Sequence, residues 1–274
     1  MKSESGLMMR NILAIAGKEA RIYLTTSTSD VVFACFVLST AYFFQLFVGQ
    51  FQMSSLQAMQ YGGGAMLEQL NLTDQVMYPL FMNVAVVFLF MLPMLTMRLI
   101  AEERRTKTLE LLMTSPVRPL EIVLGKYLAA LQMVALMLAL TLFFPLLLQI
   151  FGATTMTDGM HALDWNTIAT SYLGMFLLGA SFVSIGLLTS SVTDSQIVAV
   201  MLAFFVLLMF FVMGSSSATQ KGLLGDIMTY LSIADHLESF VRGVVKSVDV
   251  VYYLSVIFIG LFLTYRVIDA QRWR

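Results

Sequence analysis

Ser181 lies in the run Gly179-Ala180-Ser181, inside apolar sequence, and a serine so placed invites nucleophilic chemistry. A nucleophilic serine needs a base within hydrogen-bond reach, most often a histidine. The chain has two histidines, His161 and His236, and both fall in segments expected outside the membrane. Small residues along the same run (Gly174, Gly179, Ala180, Ser184 and Gly186) suit close approach of helices and account for the pattern without catalysis. Met91, Met94 and Met97 recur at i, i+3, i+6, and thioethers can bind Cu(I). Methionine filling irregular packing beside Pro93 is the plainer reading. Cys35 is the one cysteine, and no Cys/His cluster offers zinc ligands. A phosphate-cradling loop ends in Gly-Lys-Ser/Thr, whereas the Gly-Lys pairs here read Gly17-Lys18-Glu19 and Gly125-Lys126-Tyr127. No catalytic residue, metal or cofactor is therefore expected on this chain.

The elements that would position such groups follow from composition. The chain is 274 residues long, 58% hydrophobic and 12% charged, with a mean hydropathy of +0.82. A soluble domain carries about 25% charged residues, so these values describe a membrane protein. The net charge of -1 gives no general attraction to nucleic acid, and none is expected as a partner. The first thirty residues are too polar for a signal peptide.

A span needs about 20 mostly apolar residues. Six runs qualify, at 31–51, 77–99, 127–151, 168–189, 196–213 and 250–267, and their interiors lack ionisable side chains. That weighs against proton pumps, ion-coupled carriers and voltage sensors, which place such groups within the bilayer. Thirteen of the sixteen Lys and Arg residues fall on one side of a six-span path, which predicts cytoplasmic N and C termini. The exceptions, Lys221, Arg242 and Lys246, lie in 214–249, an external amphipathic or re-entrant segment. Along 8–24, Met9, Ile12, Leu13, Ala16, Ala20, Tyr23 and Leu24 form one stripe, read as an interfacial helix within 1–30. The expected fold is all-α, one membrane domain over 1–274 with six transmembrane helices.

The charged exception to this oily sequence is AEERRTKTLELLMTSPVRPLEIVLGK, residues 101–126. Glu102 with Arg105, and Glu103 with Lys107, have helical pair spacing, so the second span is expected to run on as a paired helix. Leu109, Leu112 and Met113 form an apolar face beside Lys107 and Glu110. Ser115-Pro116 then breaks the helix, and Pro119 starts the next. An exposed Leu-Leu-Met face on a charged hairpin calls for a partner.

The run from Glu102 to Val117, EERRTKTLELLMTSPV, resembles the cytoplasmic loop between the second and third spans of ABC-2 type transporter permeases. GKEARIYLTTSTSD at 17–30 resembles that family's entry helix. The C-terminal DHLESFVRGVVKSVDVVYYLS and RVIDAQRWR resemble its gliding-motility branch, and the nitrous oxide reductase maturation permease is a more distant likeness. The resemblance implies a permease of a bacterial cytoplasmic membrane that pairs with a second copy and with an ABC ATPase subunit. ATP and Mg would be bound by that ATPase. Glu102, Glu103, Arg104, Thr108, Leu109, Glu110 and Pro116 match the motif of the coupling helix, and Arg105, Lys107, Leu112 and Met113 complete its expected docking region within 101–121. His236, Glu238 and Arg242 are the candidates for contact with an extracytoplasmic auxiliary protein. The implied function is export of an amphipathic or bulky substrate; the alternative is mechanical relay of ATPase motion to an external partner.

Overall fold

A computed structural model describes residues 2–62, 71–108, 117–155, 163–217, 227–228 and 230–271. The described residues are mostly helical: α1 (Lys2–Thr25), α2 (Ser27–Gln57), α3 (Tyr78–Thr96), α4 (Ala101–Arg105), α5 (Pro119–Thr141), α6 (Phe143–Thr155), α7 (Trp165–Val192), α8 (Gln196–Ser217), α9 (Ile233–Val241) and α10 (Ser247–Gln271). Single π turns, Ala58–Gly62 and Thr73–Met77, follow α2 and precede α3. Among the described residues, six helices are long and apolar enough to cross a membrane: Ser29–Gln60, Thr73–Arg105, Pro119–Ile150, Trp165–Val192, Gln196–Met213 and Ser247–Gln271. Each carries one of the expected apolar runs to within a residue; the fifth coincides with its run, and the others extend beyond theirs at one end or both.

α7 is the hub. Its apolar window is 78% buried, against 17% for the first and fifth spans, and it packs against α3, α5, α8, α9 and α10. The small residues make this possible. A Cβ built on Gly186 would lie 2.1 Å from Thr96 Oγ1, and one on Gly174 would lie 2.5 Å from Phe240 Cβ, so α3 and α9 approach α7 backbone to side chain. Ser181 is buried in this packing and donates to the carbonyls of Leu177 (3.0 Å) and Tyr253 (3.4 Å). It works as a helix-to-helix bond. Met91 packs against the core while Met94 is exposed, so the methionine row is divided between two surroundings.

At one end of the bundle, Asp164 caps α7. Its carboxylate accepts from the Thr167 hydroxyl (2.6 Å) and the Asn166 amide (3.1 Å). Those bonds favour the ionised form and hold its pKa below the ordinary 3.8. A depressed carboxyl contributes stability above its unfolded pKa and loses it as pH falls through the folded one. Asp164→Ala is therefore expected to lower the melting temperature in detergent at pH 7. The gap to wild type should close below the ordinary carboxylate value.

The two segments outside the spans differ from expectation in informative ways. α1 buries Ile12, Ala16, Glu19 and Tyr23 against α5, while Met9, Leu13 and Leu24 of the expected single stripe point outward. The helix therefore has a protein-facing row and a separate exposed apolar row. Within 214–249, α9 is nine residues long, and the described residues 227–228 and 230–231 before it are also helical. Gly243 ends it at φ +81°, in the left-handed region, where a Cβ would also meet Thr167 Oγ1 at 2.6 Å. Ile233, Leu237, Phe240 and Val241 are buried against the bundle, whereas Ile227, Tyr230, Val244 and Val245 are exposed.

Candidate functional site

The charged block begins with a break in α3. Met97 N–H still reaches the Pro93 carbonyl (3.0 Å), but Leu99 N–H turns to Thr96 (3.1 Å), one residue short of the α ladder. The ladder is interrupted because Ser190 of α7 inserts into it. Ser190 Oγ accepts from Ile100 N–H (3.1 Å) and Ala101 N–H (3.0 Å), and its hydroxyl donates to the Met97 carbonyl (2.9 Å). One donor and two lone pairs are then fully used. The carbonyl that Leu99 leaves, that of Leu95, accepts instead from the Tyr23 hydroxyl of α1 (3.0 Å). Burial, reinforced by nearby Glu19, pushes the Tyr23 phenol far above the usual tyrosine range, so it is a fixed donor.

Beyond the break, the five-residue α4 is held on both flanks. Arg104 Nε pairs with Asp194 Oδ1 (2.7 Å) in the turn from α7 to α8, and its Nη1 donates to the Ser191 carbonyl at the end of α7. On the other flank Glu103 pairs with Lys126 Nζ (2.8 Å), which also pairs with Glu19 of α1 (3.0 Å). The Lys126 side chain is only 2% exposed, with the glutamates at 13% and 11%. Asn11 of α1 adds a bond to Glu121 Oε2 (3.1 Å), which also accepts from Arg118 N–H (3.3 Å) at the start of α5. The Arg104–Asp194 pair is partly solvated, with Asp194 68% exposed, and contributes under about 1 kcal/mol. The Lys126 triad is desolvated, so losing one member costs far more than an exposed pair does.

This geometry redistributes the residues expected to pair along a helix. Lys107 takes φ +56°, a left-handed conformation that stops α4, so Glu103 does not meet it at i,i+4. Glu103 is drawn to Lys126 instead, and Arg104 to Asp194. Arg105, Lys107 and Thr108 are exposed; Glu102, Glu103 and Arg104 are half-buried. The outward residues can contact a partner, and the inward ones tie α4 to its neighbours. Leu109, Glu110, Leu112, Met113 and Pro116 lie outside the described residues. Neither Ser190 nor Asp194 stands out in the sequence; Glu19 and Tyr23 belong to the run that resembles the entry helix, and Lys126 to the cations that set the topology, with no contact to α4 expected for any of them. The one available hint was Lys126 itself, a lysine about two turns inside a mostly apolar helix.

At the opposite end, His236 is buried, which corrects its assignment to an external contact surface. Its Nδ1 lies 2.6 Å from Asp249 Oδ1, its Nε2 3.0 Å from the Tyr230 carbonyl, and Tyr252 stacks on its ring at 4.0 Å. It fastens the 230–231 segment to α10 and presents nothing outward. Glu238 and Arg242 do reach the surface, paired at 2.7 Å, with Tyr78 donating to Glu238 (3.3 Å) beneath the Arg242 guanidinium. No group of three or more potential metal-ligating side chains occurs among the described residues.

A family model described as ABC-2 family transporter protein matches residues 55–234, which takes in α3 to α8 and the whole charged block. No curated protein matches the chain. Six apolar spans among the described residues, four of them packed on a fifth, α7, and α4 tied to α1, α5 and α7, agree with that match over well more than half of the sequence. The chain belongs to the ABC-2 family of transporter proteins, as a multi-pass permease component of an ABC transporter.

Proposed function

We propose that two copies of this chain assemble with two ABC ATPase subunits in a bacterial cytoplasmic membrane, and that residues 101–121 receive the ATPase stroke. The N and C termini face the cytoplasm, where the ATPase binds ATP and Mg. The observation that carries this reading is the grip on α4. Ser190 binds its N-terminus, Arg104 joins it to the α7–α8 turn, and Glu103 joins it through Lys126 to α5 and α1. A displacement applied at the exposed Arg105, Lys107 and Thr108 then reaches four helices together. The cargo is an exported amphipathic or bulky molecule, since the spans carry few charges to hold a small ion.

The test is made on Leu109 and Glu110, the centre of the matching motif. Leu109→Asp and Glu110→Arg are expected to insert normally while retention of the ATPase subunit falls about tenfold or more. Copurification and ATP turnover at wild-type levels in both variants would remove the coupling assignment.

A mechanical reading without cargo draws support from α9. It packs directly on α7, the helix that carries Ser190 and Ser191 at its other end, and it displays Glu238 and Arg242. The C-terminal residues that resemble the gliding-motility branch favour the same role. With the complex in vesicles, ATPase stimulation by an external protein domain and no cargo movement would select it.

A further inference from the structure

A cavity of about 400 Å³ opens between α1, the start of α2 and the broken end of α3. Its wall has a charged part that includes Arg98, Glu102, Glu103 and Lys126, with Lys18 beside Glu19 (4.0 Å), and an apolar part that includes Ile22, Val32 and Met94. Three buried side-chain polar atoms among the described residues have no hydrogen-bond partner, and two of them, Arg98 Nε and Glu103 Oε2, belong to residues of this wall. The orphans are of opposite character, one cationic donor and one anionic acceptor. Buried polar groups are ordinarily satisfied, so a ligand that brings both an anionic acceptor and a cationic donor fits them together. Lys126 cannot serve either, because its charge is already shared by Glu19 and Glu103. Glu102 makes no ion pair among the described residues and adds a second acceptor for the cation.

We propose that this cavity binds the headgroup of an amine-bearing zwitterionic phospholipid. The phosphate lies on the Arg98 guanidinium, and the primary ammonium donates to Glu103 Oε2 and Glu102. Volume and walls both favour a lipid over water alone. A water occupies about 30 Å³, and Ile22 and Met94, each more than 40% exposed, carry the apolar wall out to the bundle surface where acyl chains run. A quaternary choline has no N–H to give the carboxylates, and a net anionic headgroup leaves Glu103 unsatisfied beside a second negative charge. The site does not depend on the ATPase reading and is testable on the permease alone.

The experiment uses the full chain purified in detergent, stripped of lipid, then offered phosphatidylethanolamine, phosphatidylcholine or phosphatidylglycerol, or glycerophosphoethanolamine without chains. Bound lipid is read by native mass spectrometry and by the shift in thermal unfolding. Phosphatidylethanolamine is expected to be retained about tenfold over the other two lipids, and about tenfold less by Arg98→Gln and by Glu102→Gln. Glu102 is half-buried and unpaired, so its substitution leaves the folded chain to be measured. Equal retention of the three lipids, chainless headgroup bound as tightly as lipid, or unchanged retention by both variants overturns the assignment.

Discussion

Lys126→Met is expected to destabilise the protein by about 3–5 kcal/mol, the range found when one partner of a buried ion pair is removed. Methionine keeps the length and apolar stem of lysine, so packing is nearly preserved and the loss is electrostatic. What it leaves is two carboxylates, Glu19 and Glu103, held close together and almost shielded from water. Their repulsion acts on the two elements that Lys126 joins, α1 and α4. A compensating triple variant, Glu19→Gln with Lys126→Met and Glu103→Gln, should recover most of the stability, because neutral groups remove the uncompensated charge. It should not recover coupling, since nothing then draws α4 to α5. Denaturant titration of the three proteins in detergent, together with ATPase activity of their complexes, separates these effects. If Lys126→Met unfolds within about 1 kcal/mol of wild type, the triad is a solvated surface pair and the argument fails.

Ser190→Ala is expected to cost about 3 kcal/mol or more, a large effect for the loss of one oxygen. The hydroxyl serves three backbone groups, Met97 C=O, Ile100 N–H and Ala101 N–H, and each buried orphan costs about 1–3 kcal/mol. The segment has one means of recovering those bonds, which is to straighten into continuous α-helix through 97–101. That would rotate and translate α4 away from Asp194 and Lys126. The variant therefore reports either lower stability or a lengthened helix with poor coupling. Backbone amide exchange at 99–101, read beside ATP turnover, identifies which. Ser190→Thr retains the hydroxyl and should retain part of both properties. Wild-type exchange, stability and turnover in Ser190→Ala would show that the break is held by something else.

The six spans were legible because apolar length alone decides them, and α3 and α7 would be recognised from almost any hydropathy window. Pro119 also marked the start of α5 correctly, through its fixed backbone angle. The break at 97–100 was not legible. Pro93, the obvious candidate, sits inside a helix that continues for three more residues, while the agent is a serine ninety residues away in sequence. Glu103 illustrates the same limit. Its local spacing offered Lys107, but the left-handed turn at Lys107 removes that partner and tertiary approach supplies Lys126. His236 was misjudged for a related reason. A polar residue in an external segment reads as exposed, yet α9 is short enough to tuck under Tyr252 and bury it. Local pattern identified which elements form; the long-range bonds that hold α4 come from contacts that no periodicity encodes.

The central position of α7 also has a consequence for how the protein is made. It follows α3 and α5 in the chain, yet it is the surface on which these earlier helices, already synthesised, complete their packing. Until it arrives, the N-terminal half has its two inner spans without their main neighbour, and the turn at 97–100 lacks the hydroxyl that closes it. Chains fold N-terminal parts first during synthesis, and incomplete assemblies with unpaired polar groups are the ones that quality-control proteases remove. Changes along the small-residue face of α7 will thus be felt as a smaller amount of permease in the membrane before they are felt as a slower one.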